Sequence, residues 1–521
     1  MINSSGHIYL VGFMGSGKSA VCRELARMLR RQPLDMDDAL ERRLGMPVHR
    51  FIGKWGLETF RREERRLLLE VSSGPARVIA TGGGVPEDPL NVETMNSSGT
   101  MVFLDCSLEE CARRVSGDQG TIRPLWVDLD HARALYEKRR PLYLLSPVRV
   151  CAEGGGPQEV ARRILQELFV DRRIPWETPH GVCPIIMTWN GPEAVRGLLH
   201  GKHAVILTDE TVGTLHLQRY TRVLSPRAVI EVPPGEDSKD LRIAQGVFES
   251  LLANRIERRD VLLCLGGGMV TDLGAFVAST YKRGICFVLA STTLLGCVDA
   301  AIGGKAAVNL GGIKNVVGLF TVPRGIVLDM EALSTLPRDA ILGGIVEAYK
   351  TGLAISPELA AFVEEHICRL IDGEMDSLWT LVQMSARSKV SVVEGDFREG
   401  SGRMVLNLGH TVGHALEVVH GLYHGRAVAM GVAVECRISK NRGWISQQRE
   451  DQILATLRRL YSDSPAVDAA TLWEPISHDK KTSDGRVRFV LLRDVGRAVI
   501  CDDVSREELD ESLNAINGGD I

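Results

Sequence analysis

Residues 8–19 read Ile-Tyr-Leu-Val-Gly-Phe-Met-Gly-Ser-Gly-Lys-Ser, and from Gly12 onward they fit G-x-x-x-x-G-K-[ST] at every position. The apolar run Ile8–Val11 predicts a strand, and the periodicity of Ser19–Arg31 predicts a helix. A strand that enters a helix through such a loop is built to hold phosphate. Gly12, Gly15 and Gly17 let the backbone N–H groups around Ser16 wrap the phosphates, Lys18 reaches the β/γ oxygens, and the Ser19 hydroxyl ligates Mg²⁺. The expected ligand is a nucleoside triphosphate, ATP or GTP.

The residues that follow supply the acceptor side. Asp35 and Asp37 (LDMDD) come after the first predicted helix, where acidic groups serve a Mg²⁺ shell and a hydroxyl nucleophile. Arg61 (FRREE), Gly82-Gly83-Gly84, Arg123 (TIRPLW) and Arg139 (EKRRPLY) recur at intervals suited to an anion clamp, and arginine is the side chain for bidentate carboxylate recognition. Strands are predicted at Val78–Ala80 and Met101–Leu104, and helices at Leu108–Val115 and Gln158–Phe169. On the D-x-D, F-R-x-x-E, triple-glycine, R-P-L and R-x-P-x-Y strings, residues 5–170 resemble shikimate kinase. The resemblance implies ATP-dependent 3-phosphorylation of shikimate. Asp37, Arg61, Gly83 and Arg139 would hold the substrate, with Lys18, Asp37 and Arg123 catalytic and Asp35 beside Ser19 in the metal shell. Arg113 and Arg114 are both candidates for the adenine side. A related small-molecule kinase, such as gluconate kinase, is the rival reading.

A chain of 521 residues exceeds the ~100–200 expected of one domain, and 44% apolar with 25% charged residues describes a globular protein. With 62 basic against 66 acidic residues the net charge is −4, which excludes a global field for nucleic acid or anionic membrane. Eleven scattered cysteines without C-x-x-C pairing argue for reduced thiols in the cytoplasm. Neither a targeting leader nor a membrane span is expected. Asp171–Gly181 carries two prolines and no periodicity, so residues 173–181 read as a linker between a first domain (1–172) and a larger second part.

That second part starts as an α/β series, with strands predicted at Ala204–Thr208, Ala228–Val232, Val261–Leu265 and Cys286–Ala290. From about Leu336 long helical patterns take over, at Ala340–Ala354, Leu359–Ile371, Leu378–Glu394, Thr411–Val419 and Ala427–Arg442. A strand at Val487–Leu492 and a helix at Ser505–Ile516 close the chain. Gly266-Gly267-Gly268-Met269-Val270-Thr271-Asp272 after an apolar run is a weak dinucleotide signal, with Glu236 and Lys239 placed to contact a nucleotide over the sheet edge. Arg283, Asp299, Lys305, Asn309, Lys314 and Asn315 fall among glycines, as phosphate or carboxylate binding requires. His410 and His414 share a helix face, and with His424 and an acidic residue they make a zinc shell; the spacing does not choose the three ligands.

On GGGxxxDL, STTLLxxVD, GGKxAVN, Gly344–Lys350, NxGHTxGHA and HG, the chain from residue 182 to its end resembles 3-dehydroquinate synthase. The fold this implies is a P-loop α/β kinase domain (a parallel sheet with helices), then a Rossmann-like NAD domain (182–335) and an α-helical metal and substrate domain (336–521). The reaction implied turns 3-deoxy-D-arabino-heptulosonate 7-phosphate into 3-dehydroquinate and phosphate, with NAD retained and Zn²⁺ or Co²⁺ bound. Zinc would sit on Glu347, His410 and His424. NAD would meet Asp209, Glu236, Lys239, Gly267, Asp272, Thr292 and Thr293. Substrate would be held by Asp299, Lys305, Lys314, Asn315, Lys350, Lys389, Glu399, Arg403, Asn407 and His414. Arg283, from a neighbouring subunit of a homodimer, and Lys480 or Lys481 would grip phosphate oxygens. Of these, Lys305, Lys350, Arg403, Asn407 and His414 would be catalytic. Where the family carries H-G-E, this chain has His424-Gly425-Arg426. The alternatives are another sugar-phosphate cyclase, a polyol dehydrogenase, or one half serving as a non-catalytic module.

Overall fold

Five strands build the sheet of the first unit, Met1–Asp171: β1 (His7–Val11), β2 (Gln32–Asp35), β3 (Arg77–Ala80), β4 (Gly99–Asp105) and β5 (Val148–Cys151). Neighbouring strands are parallel in the order β2-β3-β1-β4-β5. Every residue of β1 is buried, which is why its sequence is a continuous apolar run with no alternation. The strand order reverses around β1, so the loop leaving its carboxyl end stands at the switch point, where such sheets bind ligands. The computed structural model describes residues 6–117, 128–311, 313–400, 402–462, 467, 469–477 and 487–517. Arg123, Lys480 and Lys481 lie outside them.

The second unit, Arg172–Ile521, starts with β6 (Arg172–Thr178) and β7 (Gly181–Thr188). β8 (Ala204–Asp209), β9 (Ala228–Val232), β10 (Val261–Gly266) and β11 (Cys286–Ser291) follow, then an antiparallel hairpin of β12 (Lys305–Leu310) and β13 (Ile313–Phe320), and β14 (Ile326–Asp329). The main sheet runs β6-β7-β14-β11-β10-β8-β9, parallel throughout except for β6 on β7. The chain order reverses between β8 and β10. Helices Arg338–Ile355, Pro357–Ile371, Met375–Gly395, His410–His420 and His424–Asn441 come next. β15 (Phe489–Asp494), β16 (Arg497–Cys501) and helix Arg506–Asn517 end the described chain.

The stretch read as a linker, 173–181, is instead the edge strand β6 and its turn. Ile174 and Trp176 alternate inward, Pro175 lies opposite Pro184 in the ladder, and Gly181 takes φ +104. A proline on an edge strand gives up a hydrogen bond that is dispensable there, so the composition of a linker also suits this edge. No described helix is long and apolar enough to cross a membrane.

Candidate active sites

The loop from Gly12 to Ser19 is held by glycines at φ +153 (Gly12), +84 (Gly15) and +94 (Gly17), and Gly17 leads into the helix Lys18–Leu29. A Cβ on Gly15 would lie 2.6 Å from the Cys111 carbonyl oxygen, so the loop is both left-handed and tightly backed. Lys18 Nζ donates to the Gly12 and Phe13 carbonyls at 2.8 and 3.0 Å, folded along the rim of the loop. The buried Ser16 hydroxyl has no hydrogen-bond partner among the described atoms, which fits a loop shaped around a bound oxyanion. Ser19, Asp35, Asp37, Arg61, Gly83 and Arg139 line one cavity of about 630 Å³ with this loop.

Asp35 caps the helix Met36–Leu44, accepting from the N–H groups of Asp37 and Asp38 at 3.0 and 3.5 Å. Desolvation by the cavity wall and the neighbouring Asp35 push the Asp37 carboxyl above its ordinary value, against the pull of Lys18 and Arg61. Arg61 donates to Glu64 at 2.5 Å, and burial pushes the Glu64 carboxyl up to about 7. Tyr143 donates to the Gly83 carbonyl at 2.6 Å and fixes the glycine turn. Of the two arginines considered for adenine, Arg113 is turned outward onto Glu110. Arg114 reaches the Ser16 and Ala152 carbonyls, at 3.2 and 2.8 Å, and lines both this cavity and a second one of about 500 Å³ beside it, which Arg113 lines as well. Glu64 is the acid of the F-R-x-x-E string, whose pattern assigns it no role, and no sequence signal singles out Glu87, which bonds Arg139.

In the second unit Asp209 ends β8 and caps the next helix, Gly267 follows β10, and Thr292 and Thr293 follow β11. All four therefore stand at the carboxyl edge of adjoining parallel strands, at the β8/β10 reversal, the place for a dinucleotide. Thr292 Oγ1 is buried without a hydrogen-bond partner among the described atoms, and Gly267 packs so closely on Thr293 that an added Cβ would lie 2.8 Å from it. Lys239 pairs with Asp272 at 2.5 Å, and Glu236 accepts from Asn309 at 3.4 Å.

Glu347, His410 and His424 bring one ligand atom each to within 4.8 Å of one another. Nε2 of His410 and of His424 stand 3.8 and 3.4 Å from the buried Glu347 Oε1, while the other oxygen accepts from Lys350 at 2.5 Å. A second triad, His414, Glu417 and His424, is equally close. The rings decide between them: His424 Nδ1 meets Glu417 at 2.6 Å, which leaves Nε2 for the side where Glu347 and His410 converge. Carboxylates on both sides of His424 overcome its burial and raise its pKa to about 10, so this spot favours a cation. The donor set fits Zn²⁺ or Co²⁺. Glu417 was legible only as the i+3 neighbour of His414.

Around this centre Lys389 donates to the Asp299 carboxylate at 2.6 Å and Lys305 to Glu399 at 2.7 Å. Lys314 donates to Glu417 at 2.5 Å and Arg403 to the Gly303 carbonyl at 2.7 Å. Burial brings Lys389 down to about 8, against Asp299. Asn407 and His414 lie in the same stretch as His410, at the end of turn Gly402–Asn407 and on helix His410–His420. The Asn315 N–H bonds Asn309. Arg283 is not part of this network; it is exposed on the turn Tyr281–Arg283 at φ +63. Arg426, two positions beyond His424 on one helix, leaves the opposite side. Its charge falls on Tyr461, whose phenol burial and Asp339 push up to about 12 against Arg426.

Family models agree with this division: shikimate kinase matches residues 14–169, and the 3-dehydroquinate synthase N-terminal and C-terminal models match 229–342 and 344–482. A 3-dehydroquinate synthase of Pseudomonas fluorescens is 37% identical over 334 residues, covering 62% of this chain and 91% of its own. Two solved structures share the fold. The 2-epi-5-epi-valiolone synthase of Streptomyces hygroscopicus, with NAD⁺ and Zn²⁺ bound, is 24% identical with a TM-score of 0.60, covering 64% of this chain and 96% of its own. A 2-deoxy-scyllo-inosose synthase complexed with carbaglucose-6-phosphate, NAD⁺ and Co²⁺ is 22% identical at a TM-score of 0.61, covering 66% and 99%. A bifunctional shikimate kinase/3-dehydroquinate synthase of Thermotoga maritima is 32% identical over 494 residues, 94% of this chain and 96% of its own. That relative carries both halves in one chain and aligns over nearly its whole length, so this chain belongs to the bifunctional shikimate kinase/3-dehydroquinate synthase family.

Proposed function

We propose that the first cavity transfers the γ-phosphoryl group of ATP to the 3-hydroxyl of shikimate, and that the second unit converts 3-deoxy-D-arabino-heptulosonate 7-phosphate to 3-dehydroquinate and phosphate. The chain is thus a kinase and a phosphorus–oxygen lyase of the shikimate pathway. In the first cavity Lys18 and the loop N–H groups carry the charge of the β and γ phosphates. Arg61, Arg139 and the Gly82–Gly84 turn hold the shikimate carboxylate. Asp37 accepts the proton of the attacking hydroxyl, a role that its raised pKa suits. Ser19 and Asp35 would hold Mg²⁺, and the cavity beside Arg114 would take the adenine.

In the second unit NAD supplies a reversible hydride acceptor, and Zn²⁺ or Co²⁺ supplies Lewis acidity at the oxygen of the oxidised carbon. Glu347, His410 and His424 would hold the metal. Asp209, Glu236, Lys239, Gly267, Asp272, Thr292 and Thr293 would hold the dinucleotide. Lys305, Lys314, Lys389, Arg403 and Asn315 would fix the substrate, with Asp299, Glu399 and Glu417 fixing the lysines in turn. Lys350, Asn407 and His414 stand next to the metal residues, placed to hold the reacting hydroxyls. The observation that carries this half is the convergence of Nε2 of His410 and Nε2 of His424 on the buried Oε1 of Glu347, at 3.8 and 3.4 Å. All eleven cysteines are free thiols, which supports a cytoplasmic location, and a homodimer through the second unit would bring Arg283 of a neighbour to the substrate.

The test supplies the heptulosonate phosphate with catalytic NAD⁺ and Zn²⁺ and follows released phosphate. Many turnovers per NAD⁺ are expected, and net NADH accumulation on a polyol would instead make the second unit a dehydrogenase. Zinc titration by calorimetry should show a large affinity loss in Glu347→Gln; equal affinity would remove this ligand set.

A further inference from the structure

The two arginines that face the first cavity are themselves held by one carboxylate. Glu87 ends the short turn Val85–Glu87 directly after the triple glycine. Its Oε1 accepts from Arg139 Nε at 2.8 Å and Nη2 at 2.6 Å, and lies 3.5 Å from Arg61 Nη2; Oε2 lies 3.4 Å from the exposed Lys138. Glu87 thereby occupies the Nε/Nη2 edge of Arg139. The Nη1 corner is left beside Gly83, where an added Cβ would stand 3.4 Å from it. Arg139 is 4% exposed at its side chain and lines the cavity with Arg61, Glu64 and the three glycines; Glu87 does not line it. The carboxylate is therefore behind the guanidinium groups, not in the place of a ligand in front of them. Glu64, on the cavity wall, holds the other end of Arg61 at 2.5 Å, so Arg61 is fixed at both ends and Arg139 keeps an open corner toward the cavity.

We propose that Glu87 is a positioning residue for shikimate recognition: it fixes the orientation of Arg139 and Arg61 so that their free N–H groups converge on the substrate carboxylate. This rests on Arg61 and Arg139 being the carboxylate clamp. A planar fork tethered along one edge loses little further freedom when its other corner meets an anion, so the gain is in substrate affinity. The phosphates and the attacking hydroxyl lie on other residues of the cavity, so turnover at saturation should change little.

The test compares Glu87→Gln, Glu87→Asp and Arg139→Met in the full chain, with initial rates at varied shikimate and at varied ATP. Glu87→Gln should raise the KM for shikimate about tenfold, as losing a charge-assisted pair would, with kcat and the KM for ATP within about twofold. Glu87→Asp, which keeps the charge, should recover part of that loss. A lowered KM in Glu87→Gln would overturn the inference by making Glu87 a competitor for the clamp. An unchanged KM in Glu87→Gln with a raised one in Arg139→Met would show that Arg139 needs no buttress. An unchanged KM in Arg139→Met would overturn the clamp itself. Equal losses of kcat and thermal midpoint in Glu87→Gln would reduce its role to stability.

Discussion

In the first unit the proposed phosphate cradle comes from the consecutive residues Gly12–Ser19, and three of them are glycines at φ +153, +84 and +94. In the second unit the groups that face one another, Lys389 with Asp299, Arg403 with Gly303 and Lys314 with Glu417, are 90, 100 and 103 positions apart. One site is built from backbone and the other from side chains. A backbone cradle offers N–H dipoles that carry no net charge, so it is stable when empty. A side-chain site must balance its own charges, and among the described residues each buried cation of the second unit (Lys239, Lys350, Lys389, Arg403) has a carboxylate or carbonyl on it.

The hardest blow to this contrast is Lys350→Met, which strips the ammonium from the fully buried Glu347. Breaking a buried pair from one side costs about 3–5 kcal/mol, so urea unfolding in chelator should show a loss of that size, partly restored by Zn²⁺. A change below 1 kcal/mol would mean the site is solvated and the contrast false. Next is Lys18→Ala, expected to cut shikimate phosphorylation by about 10²–10³ while phosphate release by the second unit continues unchanged. Full kinase turnover in that variant would remove Lys18 from the phosphate site.

The first unit has one buried acid that sharpens the comparison. Glu64 sits near 7 in the folded chain against an ordinary 4.5, so between those values the folded state keeps a proton that the unfolded state releases. Stability from this group therefore falls as pH rises from 4.5 to 7 and levels off above. The unfolding midpoint of Glu64→Gln should show a flatter slope across that window, and parallel slopes would place Glu64 in water. The smallest effect expected is that of Arg426→Glu, which restores the residue usual in the family. Zinc affinity should stay within about threefold, because the charge at 426 acts on Tyr461.

The same contrast explains what was legible beforehand. Gly12–Ser19 announced itself because strand, loop and helix are contiguous, and β1, β4, β8 and β10 were visible as apolar runs because parallel strands are buried on both faces. The candidate metal ligands His410 and His424 were visible in a histidine cluster, but Glu347 came only through resemblance, since nothing local ties it to residues 63 and 77 positions away. β2, with the sequence Gln-Pro-Leu-Asp, and β5, with alternating exposed residues, have no apolar run to show. β6 was misread for the converse reason: its prolines and charges signal a linker, while its place at a sheet edge tolerates both.

That edge strand bears on how the two activities can be separated. A cut between Asp171 and Arg172 leaves β6 in place along β7 and gives each half its own sheet. A cut ten residues later, where the composition changes, would strip β6 away and bare the N–H and C=O groups of β7. An uncovered strand of that kind recruits other chains, so the second piece would be expected to precipitate where the first choice yields a soluble one.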